Sequence, residues 1–281
     1  AVTDGRERVL ASSLRESSAA DLLRGLGAER AAPLLGGVAG LLVDRFVADV
    51  VEMDAELGRG GLAAAADVLL SRYAGEVRLN SLEHVPSTGP VVVVANHPGT
   101  VDVPVLWRLL AARDDLRIIA LDRPFLHAVP HPASRLLYVA DDAPARSGVV
   151  RRVADHLRAG GAILTFPAGT IEPDPALRLD DAIASLASWG SSVELFVRLA
   201  PQASVLPVAV SGVISRRMLR HPLARWRATP RARELAAATL QVFVRERSVS
   251  PSLSVGALVH GAATTARLQT SMRGLLRDAV R

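Results

Sequence analysis

The chain has 281 residues, 49% of them hydrophobic and 22% charged, with a formal net charge of +5, a balance that excludes a disordered protein. It contains no cysteine and no lysine, so all 33 cationic side chains are arginine. These two absences exclude thiol nucleophiles, disulfides, cysteine-based metal sites, Walker-type phosphate loops and Schiff-base lysines.

Residues 1–74 carry apolar side chains at helical spacing and predict a small helical hairpin or bundle. Leu14 and Leu22 belong to a first run and Phe46 to a second, and glycines at positions 58, 60 and 61 predict a break before a third. The longest apolar stretch, Ala31 to Val43, is shorter than the roughly 20 residues that a spanning helix needs. We expect this segment either to cover the sheet or to touch a bilayer as a helix lying in the interface.

After Gly75, short β-branched runs alternate with helical segments. The predicted strands are Val77–Leu79, Val91–Ala95, Leu116–Leu121, Leu136–Ala140, Ala162–Phe166 and Ser204–Val210. The predicted helices cover 102–112, 147–159, 178–188, 230–240 and 256–281. Apolar strands that alternate with helices predict an α/β domain over residues 75–281, with a mostly parallel mixed sheet flanked by helices and a helical N-terminal extension. Pro207 lies inside the last predicted strand and predicts an edge strand or a bulge there.

The turn after the Val91–Ala95 strand contains Asn96, His97, Pro98 and Gly99, and a helix is predicted to begin near Asp102. Ligands of open α/β sheets bind at the carboxyl ends of the strands. The spacing lets the Asp102 carboxylate reach one imidazole nitrogen of His97, which fixes the tautomer and leaves the other nitrogen free as a base. Asp102 is equally a preferred helix N-cap, which is the structural alternative.

A second turn follows the strand that ends at Phe166 and contains Pro167, Gly169 and Thr170. Gly169 permits a close backbone approach, and the Thr170 hydroxyl with the turn amides predicts a site for a phosphate or hydroxyl group. An ordinary strand-to-loop turn is the alternative.

Together these segments resemble the glycerolipid acyltransferase family, which includes lysophosphatidate and glycerol-3-phosphate acyltransferases, over roughly residues 75–215. Asn96 to Asp102 matches the family's first motif, N-H-x-x-x-x-D. Phe166 to Thr170 resembles the third motif, F-P-E-G-T, and Val205 to Val208 resembles the fourth, V-x-P-V. The order and spacing of the three segments also match.

Two positions depart from the family pattern. Ala168 stands where family members usually carry a glutamate that is expected to contact the acceptor, and Glu172 is a candidate substitute. The second motif normally ends in an arginine that binds the acceptor phosphate. The corresponding segment here, residues 136–146, does not have its arginine at the end of the strand. Arg146, at the end of this segment, is the first candidate for binding the phosphate, and Arg123, which precedes the segment, is the second.

The resemblance implies acyl transfer from an acyl thioester, acyl-CoA or acyl carrier protein, to a hydroxyl of a glycerophosphate, lysophospholipid or related acceptor. In that reaction His97 is the general base and Asp102 orients its ring, and neither a metal nor a further cofactor is required. The implied substrate-binding residues are Asn96, Pro98, Gly99, Arg146, Arg123, Phe166, Pro167, Gly169, Thr170 and Pro207. An esterase or thioesterase that activates water with the same pair, and a catalytically silent lipid-binding homologue, remain the alternatives.

Seven arginines and Trp226 cluster between residues 216 and 233. They form a solvated face, a docking surface for anionic lipid, or a site for acyl carrier protein. No stacking platform or binding motif supports nucleic acid. We expect a cytoplasmic protein bound peripherally to the inner, anionic membrane face, because charged side chains interrupt the first 30 residues where a secretory signal would lie. His127 and His131 lie among prolines, which predicts a loop and not a metal site.

Overall fold

A single sheet lies at the centre of the computed structural model, which describes residues 2–27, 32–139, 143–261 and 263–280. Its seven strands are ordered β1-β7-β6-β2-β5-β3-β4. The strands are β1 (Arg78–Asn80), β2 (Val91–Ala95), β3 (Arg117–Leu121), β4 (Leu136–Val139), β5 (Ala162–Thr165), β6 (Ser204–Ser211) and β7 (Ser252–Val255). All pairs are parallel except β6 with β7, so the predicted mostly parallel mixed sheet is confirmed.

Helices cover both faces of this sheet. They are α1 (Val2–Leu26), α2 (Ala32–Tyr73), α3 (Asp102–Leu109), α4 (Pro124–His127), α5 (Pro130–Ala133), α6 (Ala143–Arg158), α7 (Leu179–Ser185), α8 (Ser192–Leu199), α9 (Arg216–Leu219), α10 (Pro222–Arg225), α11 (Pro230–Phe243) and α12 (Thr265–Asp278). Alternate residues of β2 point to opposite faces, as the pleat requires. Val93 packs with the apolar residues of α1, α2, α3 and α11, whereas Val92 packs with those of α6, α7, α8 and α12.

The predicted strands agree with the structure to within one residue at each end. The strand β7, the helix α8 and the single-turn helices α4, α5, α9 and α10 were not predicted. β7 has the sequence Ser-Leu-Ser-Val, in which half of the side chains are small and polar. Such a segment has no apolar run to mark it as a buried strand, although all four of its residues are buried against α12 and β6. Its burial is a consequence of the tertiary fold.

The N-terminal helices share the core of the sheet. Leu14 of α1 and Val47 of α2 belong to the same buried cluster as Val93 of β2. The break predicted at the glycines of positions 58, 60 and 61 is confirmed, because α2 consists of two helices joined across a kink at Gly61, whose φ of 72° and ψ of -163° are not helical. A positive φ of this kind is accessible to glycine without a steric penalty. No helix in the described ranges is long and apolar enough to span a membrane.

Of the two alternatives predicted at Pro207, the edge strand is wrong. β6 is an inner strand, paired with β2 on one side and β7 on the other. The Pro207 carbonyl accepts a hydrogen bond from Gly256 N at 2.9 Å, so its imide nitrogen faces the same side, just beyond the last residue of β7. Pairing resumes at Val205 with Val259, and between this bridge and the Val208–Val255 pair the partner segment has one residue more than β6. The ladder is therefore bulged on the partner side, opposite Pro207.

A buried carboxylate ties α2 to the segment that follows α11. Asp49 is 1% exposed and accepts hydrogen bonds from the Tyr73 hydroxyl at 2.5 Å, from Arg72 Nη1 at 2.7 Å and from Arg245 Nε and Nη2 at 2.9 and 2.7 Å. Burial and the adjacent Asp49 carboxylate raise the pKa of Tyr73 above its ordinary value, which keeps the hydroxyl protonated as the donor. The network holds the helical extension against the sheet domain.

Asp49→Ala is expected to lower the free energy of unfolding by about 3 kcal/mol, because it leaves a buried hydroxyl and a guanidinium without their acceptor. Glu52→Ala is the matched control, since Glu52 binds the same Arg72 from an exposed position and should cost less than about 1 kcal/mol. Urea denaturation followed by circular dichroism measures both values. Equal effects of the two substitutions would contradict the proposed role of Asp49.

Candidate active site

The candidate residues converge where parallel strands end at the same edge of the sheet. β2 and β5 pair in register from Val91 with Ala162 to Val94 with Thr165, so the turns that follow them leave the sheet side by side. The first of these turns carries His97 and the second carries Thr170. Both therefore lie at the carboxyl edge of the sheet, where open α/β sheets bind ligands.

His97 and Asp102 are in direct contact. His97 Nδ1 lies 2.7 Å from Asp102 Oδ2, and the same oxygen accepts a hydrogen bond from Gly99 N at 3.1 Å. The Asp102 side chain is fully buried, whereas the His97 side chain is 26% exposed. Val101 is the N-cap of α3 and Asp102 its first residue, so the N-cap interpretation of Asp102 is wrong. The carboxylate instead fixes the orientation of the imidazole through Nδ1, and Nε2 takes no part in this contact.

Glu172 supports His97 from the neighbouring turn. Its Oε2 accepts a hydrogen bond from His97 N at 3.0 Å, and Glu172 N donates to the His97 carbonyl at 2.8 Å. Its Oε1 accepts from Ser185 Oγ at 3.0 Å and Trp189 Nε1 at 2.9 Å. Both carboxylate oxygens of Glu172 therefore bind donors within the protein.

The pKa of His97 is shifted upward by its acidic neighbours. Burial of the imidazole is the strongest single influence and lowers the pKa, but the charge and hydrogen bond of Asp102, together with the charge of Glu172, outweigh it. The net pKa of His97 therefore lies above its ordinary value of 6.5. A histidine with a raised pKa is a stronger base than a free imidazole.

The other residues of the first turn are held by the sheet. Asn96 is buried and bridges to β6, since its Nδ2 donates to the Val210 carbonyl at 2.9 Å and its Oδ1 accepts from Val210 N at 2.8 Å. Pro98 and Gly99 are also buried. A Cβ on Gly99 would lie 3.3 Å from Val213, so the turn has little space for a larger residue. Asn96 thus acts on the position of His97 through the backbone.

The second turn lies against the imidazole. The Phe166 ring stacks on the His97 ring with centroids 4.5 Å apart and planes inclined by 29°. Gly169 has φ 63° and its N donates to the Phe166 carbonyl at 2.9 Å, which closes the turn. The Pro167 carbonyl accepts from Gly190 N at 3.1 Å. Thr170 is exposed beyond the turn.

Arg231 is the cation that the structure brings to this turn. It lies in the first turn of α11, and its Nη2 donates to Thr170 Oγ1. Among the described residues it has no carboxylate partner, so its charge is not neutralised. Arg123 is exposed at the N-terminus of α4, beyond the carboxyl end of β3, and Arg146 lies in α6 with a side chain outside the described part of the structure. Sequence spacing gave no means of pairing Arg231 with Thr170, because 61 residues separate them.

An apolar cavity of about 400 Å³ has His97 in its wall. It lies between the N-terminal helices and the sheet domain, and most of its lining is hydrophobic. The lining comes from α1 (Ser18), α2 (Phe46, Val50, Met53, Leu69, Tyr73), the start of α3 (Thr100, Val101, Val103, Pro104), α4 (Phe125, Leu126) and α11 (Thr239, Val242, Phe243). The helical extension therefore builds one side of the candidate site.

His127 and His131 were predicted to lie in a loop, but each belongs to a single-turn helix with proline in its first turn, α4 and α5. His127 Nε2 lies 2.6 Å from Asp122 Oδ1, and His131 Nδ1 lies 2.9 Å from Asp54 Oδ2. The two histidines thus bind different aspartates. Within the described ranges there is no cluster of three or more histidine or acidic side chains arranged to hold a metal ion.

Comparison with known proteins finds one matching family model, which covers slightly less than half of the chain. Residues 76–211 match the family model described as Acyltransferase. Among solved structures, the chain is similar to the 1-acyl-sn-glycerophosphate (LPA) acyltransferase PlsC from Thermotoga maritima, with 18% identity and a TM-score of 0.44 over 92% of this chain and 95% of that one. No curated protein matches the chain.

Asp102→Asn is expected to lower the pKa of His97, because it removes the negative charge that stabilises the imidazolium. The midpoint of the His97 titration, followed by NMR of the imidazole, should therefore move to lower pH. Asp54→Asn removes a similar contact from His131 and is the control that should leave the His97 midpoint in place. An unchanged midpoint in Asp102→Asn would show that Asp102 does not set the charge state of His97.

Proposed function

We propose that the protein, whose residues 76–211 match the acyltransferase family, transfers an acyl group from an acyl thioester to a hydroxyl of a glycerophosphate, lysophospholipid or related acceptor. The observation that carries this proposal is the contact between His97 Nδ1 and Asp102 Oδ2 at 2.7 Å. That pair lies in the wall of an apolar cavity, within the matched segment. A base beside an apolar cavity suits a reaction in which a polar hydroxyl meets a fatty chain.

In the proposed reaction His97 Nε2 removes the proton of the acceptor hydroxyl. The hydroxyl oxygen attacks the thioester carbonyl carbon, so that a C–O bond forms and the C–S bond breaks. The proton passes from the imidazolium to the departing thiolate, and the products are an ester and a free thiol. Asp102 stabilises the imidazolium between these steps, and Glu172 holds the His97 backbone in place.

We assign the apolar cavity to the acyl chain of a substrate. Its lining includes side chains of the helical extension, the start of α3, α4 and α11, and Ser18 Oγ is buried there without a hydrogen-bond partner among the described residues. A volume of about 400 Å³ falls within the range of small-molecule pockets. Acyl-CoA and acylated acyl carrier protein both carry an acyl chain, so either can be the donor.

We assign the charged group of the acceptor to the turn that holds Thr170 and Arg231. The support is an exposed guanidinium without a carboxylate partner in the described residues, held by the turn whose Phe166 stacks on His97. Guanidinium groups bind phosphate through paired hydrogen bonds. Arg123, and Arg146 by its position in the sequence, remain further candidates for the same role.

His97→Ala is expected to lower acyl transfer by 10²- to 10⁴-fold, the usual contribution of a general base. The assay follows a labelled long-chain acyl-CoA with lysophosphatidate, glycerol 3-phosphate and a lyso-aminolipid as acceptors, and measures thiol release in parallel. His156→Ala is the control, because His156 binds the Asp115 carbonyl at the opposite edge of the sheet. Thiol release without acylated product would indicate a thioesterase. Activity that survives His97→Ala would contradict the proposal.

Arg231→Ala is expected to raise KM for an anionic acceptor by about tenfold, since a hydrogen bond to a charged group contributes about 1.5–3 kcal/mol. KM for the acyl donor and the rate with an uncharged acceptor such as monoacylglycerol should stay near the wild-type values. Arg233→Ala, two residues further along α11, is the matched control because its Nε donates to the Arg227 carbonyl. An equal change in both variants, or an equal change with the uncharged acceptor, would exclude a specific role for Arg231.

A further inference from the structure

The segment of residues 215–233 has an unusual distribution of charge. It contains no aspartate or glutamate, whereas the whole chain has 28 such residues. Its cations are Arg216, Arg217, Arg220, Arg225, Arg227, Arg231 and Arg233. We refer to residues 215–233 as the arginine-rich segment, which joins β6 to α11.

This segment has a defined structure that presents one aromatic side chain to solvent. It folds into two single-turn helices, α9 and α10, whose Met218 and Ala224 are buried. Trp226 follows α10 and is 88% exposed, and Leu223 is 42% exposed. The other two tryptophans of the chain, Trp107 and Trp189, are each 5% exposed. The arginine-rich segment is therefore held in place by its buried residues and exposes two apolar side chains, Trp226 and Leu223, to solvent.

Some arginines of the segment serve the fold or the candidate active site. Arg217 lies 3.4 Å from Glu246, Arg227 packs against Gly27 at the end of α1, and Arg231 binds Thr170. Arg220 and Arg225 are different. Both are exposed on either side of Leu223, and neither has a carboxylate partner among the described residues. Two unneutralised cations thus lie next to the exposed Leu223 and Trp226.

The position of the segment relates it to the apolar cavity. α9 and α10 both pack on α11, and α1 packs on α11 as well. α1 and α11 supply cavity residues, among them Ser18, Thr239 and Phe243. A surface that held the arginine-rich segment would therefore lie next to two of the helices that enclose the cavity.

We propose that the arginine-rich segment docks the protein on an anionic lipid bilayer, with Trp226 and Leu223 in the interface and Arg220 and Arg225 on lipid phosphates. Tryptophan concentrates at the level of the lipid headgroups, where its ring is apolar and its N–H is hydrated. An acidic protein or a nucleic acid would neutralise the arginines but leave the leucine in a polar environment, whereas a bilayer interface accommodates both kinds of side chain. The inference rests on the proposed function in one respect: a lipid substrate resides in the bilayer, which gives the protein a reason to bind there.

The test uses the full chain with vesicles of phosphatidylglycerol or of phosphatidylcholine, and measures partitioning by sedimentation. The double variant Arg220→Ala/Arg225→Ala should bind phosphatidylglycerol vesicles less tightly by about fivefold for each arginine removed. Arg267→Ala/Arg273→Ala removes the same charge from exposed positions of α12 on the opposite face of the sheet, and should have a smaller effect. Raised salt should weaken binding of the wild type more than that of the Arg220/Arg225 variant.

Insertion of Trp226 is measured by fluorescence quenching with brominated lipid. Trp107 and Trp189 are buried, so the quenched signal of the wild type should come from Trp226 and disappear in Trp226→Phe. Trp226→Ala should in addition weaken partitioning. Because phenylalanine keeps an apolar ring, Trp226→Phe separates the loss of signal from the loss of binding.

Each outcome bears on the docking inference independently of the enzymatic assay. Equal partitioning of the Arg220/Arg225 and Arg267/Arg273 variants, or no quenching of Trp226, would overturn it, even if acyl transfer occurs. Binding to acyl carrier protein in place of vesicles, lost in the same variants, would also overturn it. Conversely, specific vesicle binding by a protein without acyl transfer would leave the docking surface established and the proposed function refuted. Activity on a soluble short-chain substrate should not change in any of these variants.

Discussion

The reciprocal hydrogen bonds between His97 and Glu172 are the constraint on which the candidate site depends. They join the turns after β2 and β5, where strand pairing no longer fixes the distance between the two chains. Because they act through the backbone of His97, they leave its imidazole free to meet Asp102 on one side and Phe166 on the other. The cost is a buried carboxylate, and burial raises the pKa of Glu172 while the hydrogen bonds from Trp189, His97 and Ser185 counteract that rise. The net pKa of Glu172 stays above its ordinary value, and the donors around it satisfy both oxygens of the buried carboxyl group.

The residues that could be predicted from the sequence are those whose partners are close in the chain. Asp102 is five residues from His97, so backbone geometry alone brings the two within reach. The parallel sheet followed in the same way from runs of valine and isoleucine. Arg231 and Pro207 could not be judged by this reasoning, because their roles depend on which strand or turn the fold places beside them. Glu172 is an intermediate case. The sequence shows a carboxylate just after the second turn, but its hydrogen bond with the His97 amide depends on the tertiary structure.

The helical extension is part of the candidate site as well as a cover for the sheet. Its residues form one wall of the apolar cavity, and the sheet domain with α11 forms the other. The Asp49 network holds these two walls together through Tyr73, which itself lines the cavity. Stability of the N-terminal packing and the shape of the cavity are therefore coupled. A substitution that loosens α2 would change the space available to a ligand without touching His97.

The arginines of the chain fall into two groups that differ in their surroundings. Many of them have ordinary structural partners. Arg113 is buried and binds Asp115 and the carbonyls of Gly89 and Gly160. The second group lies between positions 215 and 233, a segment that contains no acidic residue although the chain has 28 aspartates and glutamates elsewhere. The arginines next to Trp226 that have no carboxylate partner among the described residues therefore form a distinct part of the surface. The location of the arginines, more than their number, indicates a partner.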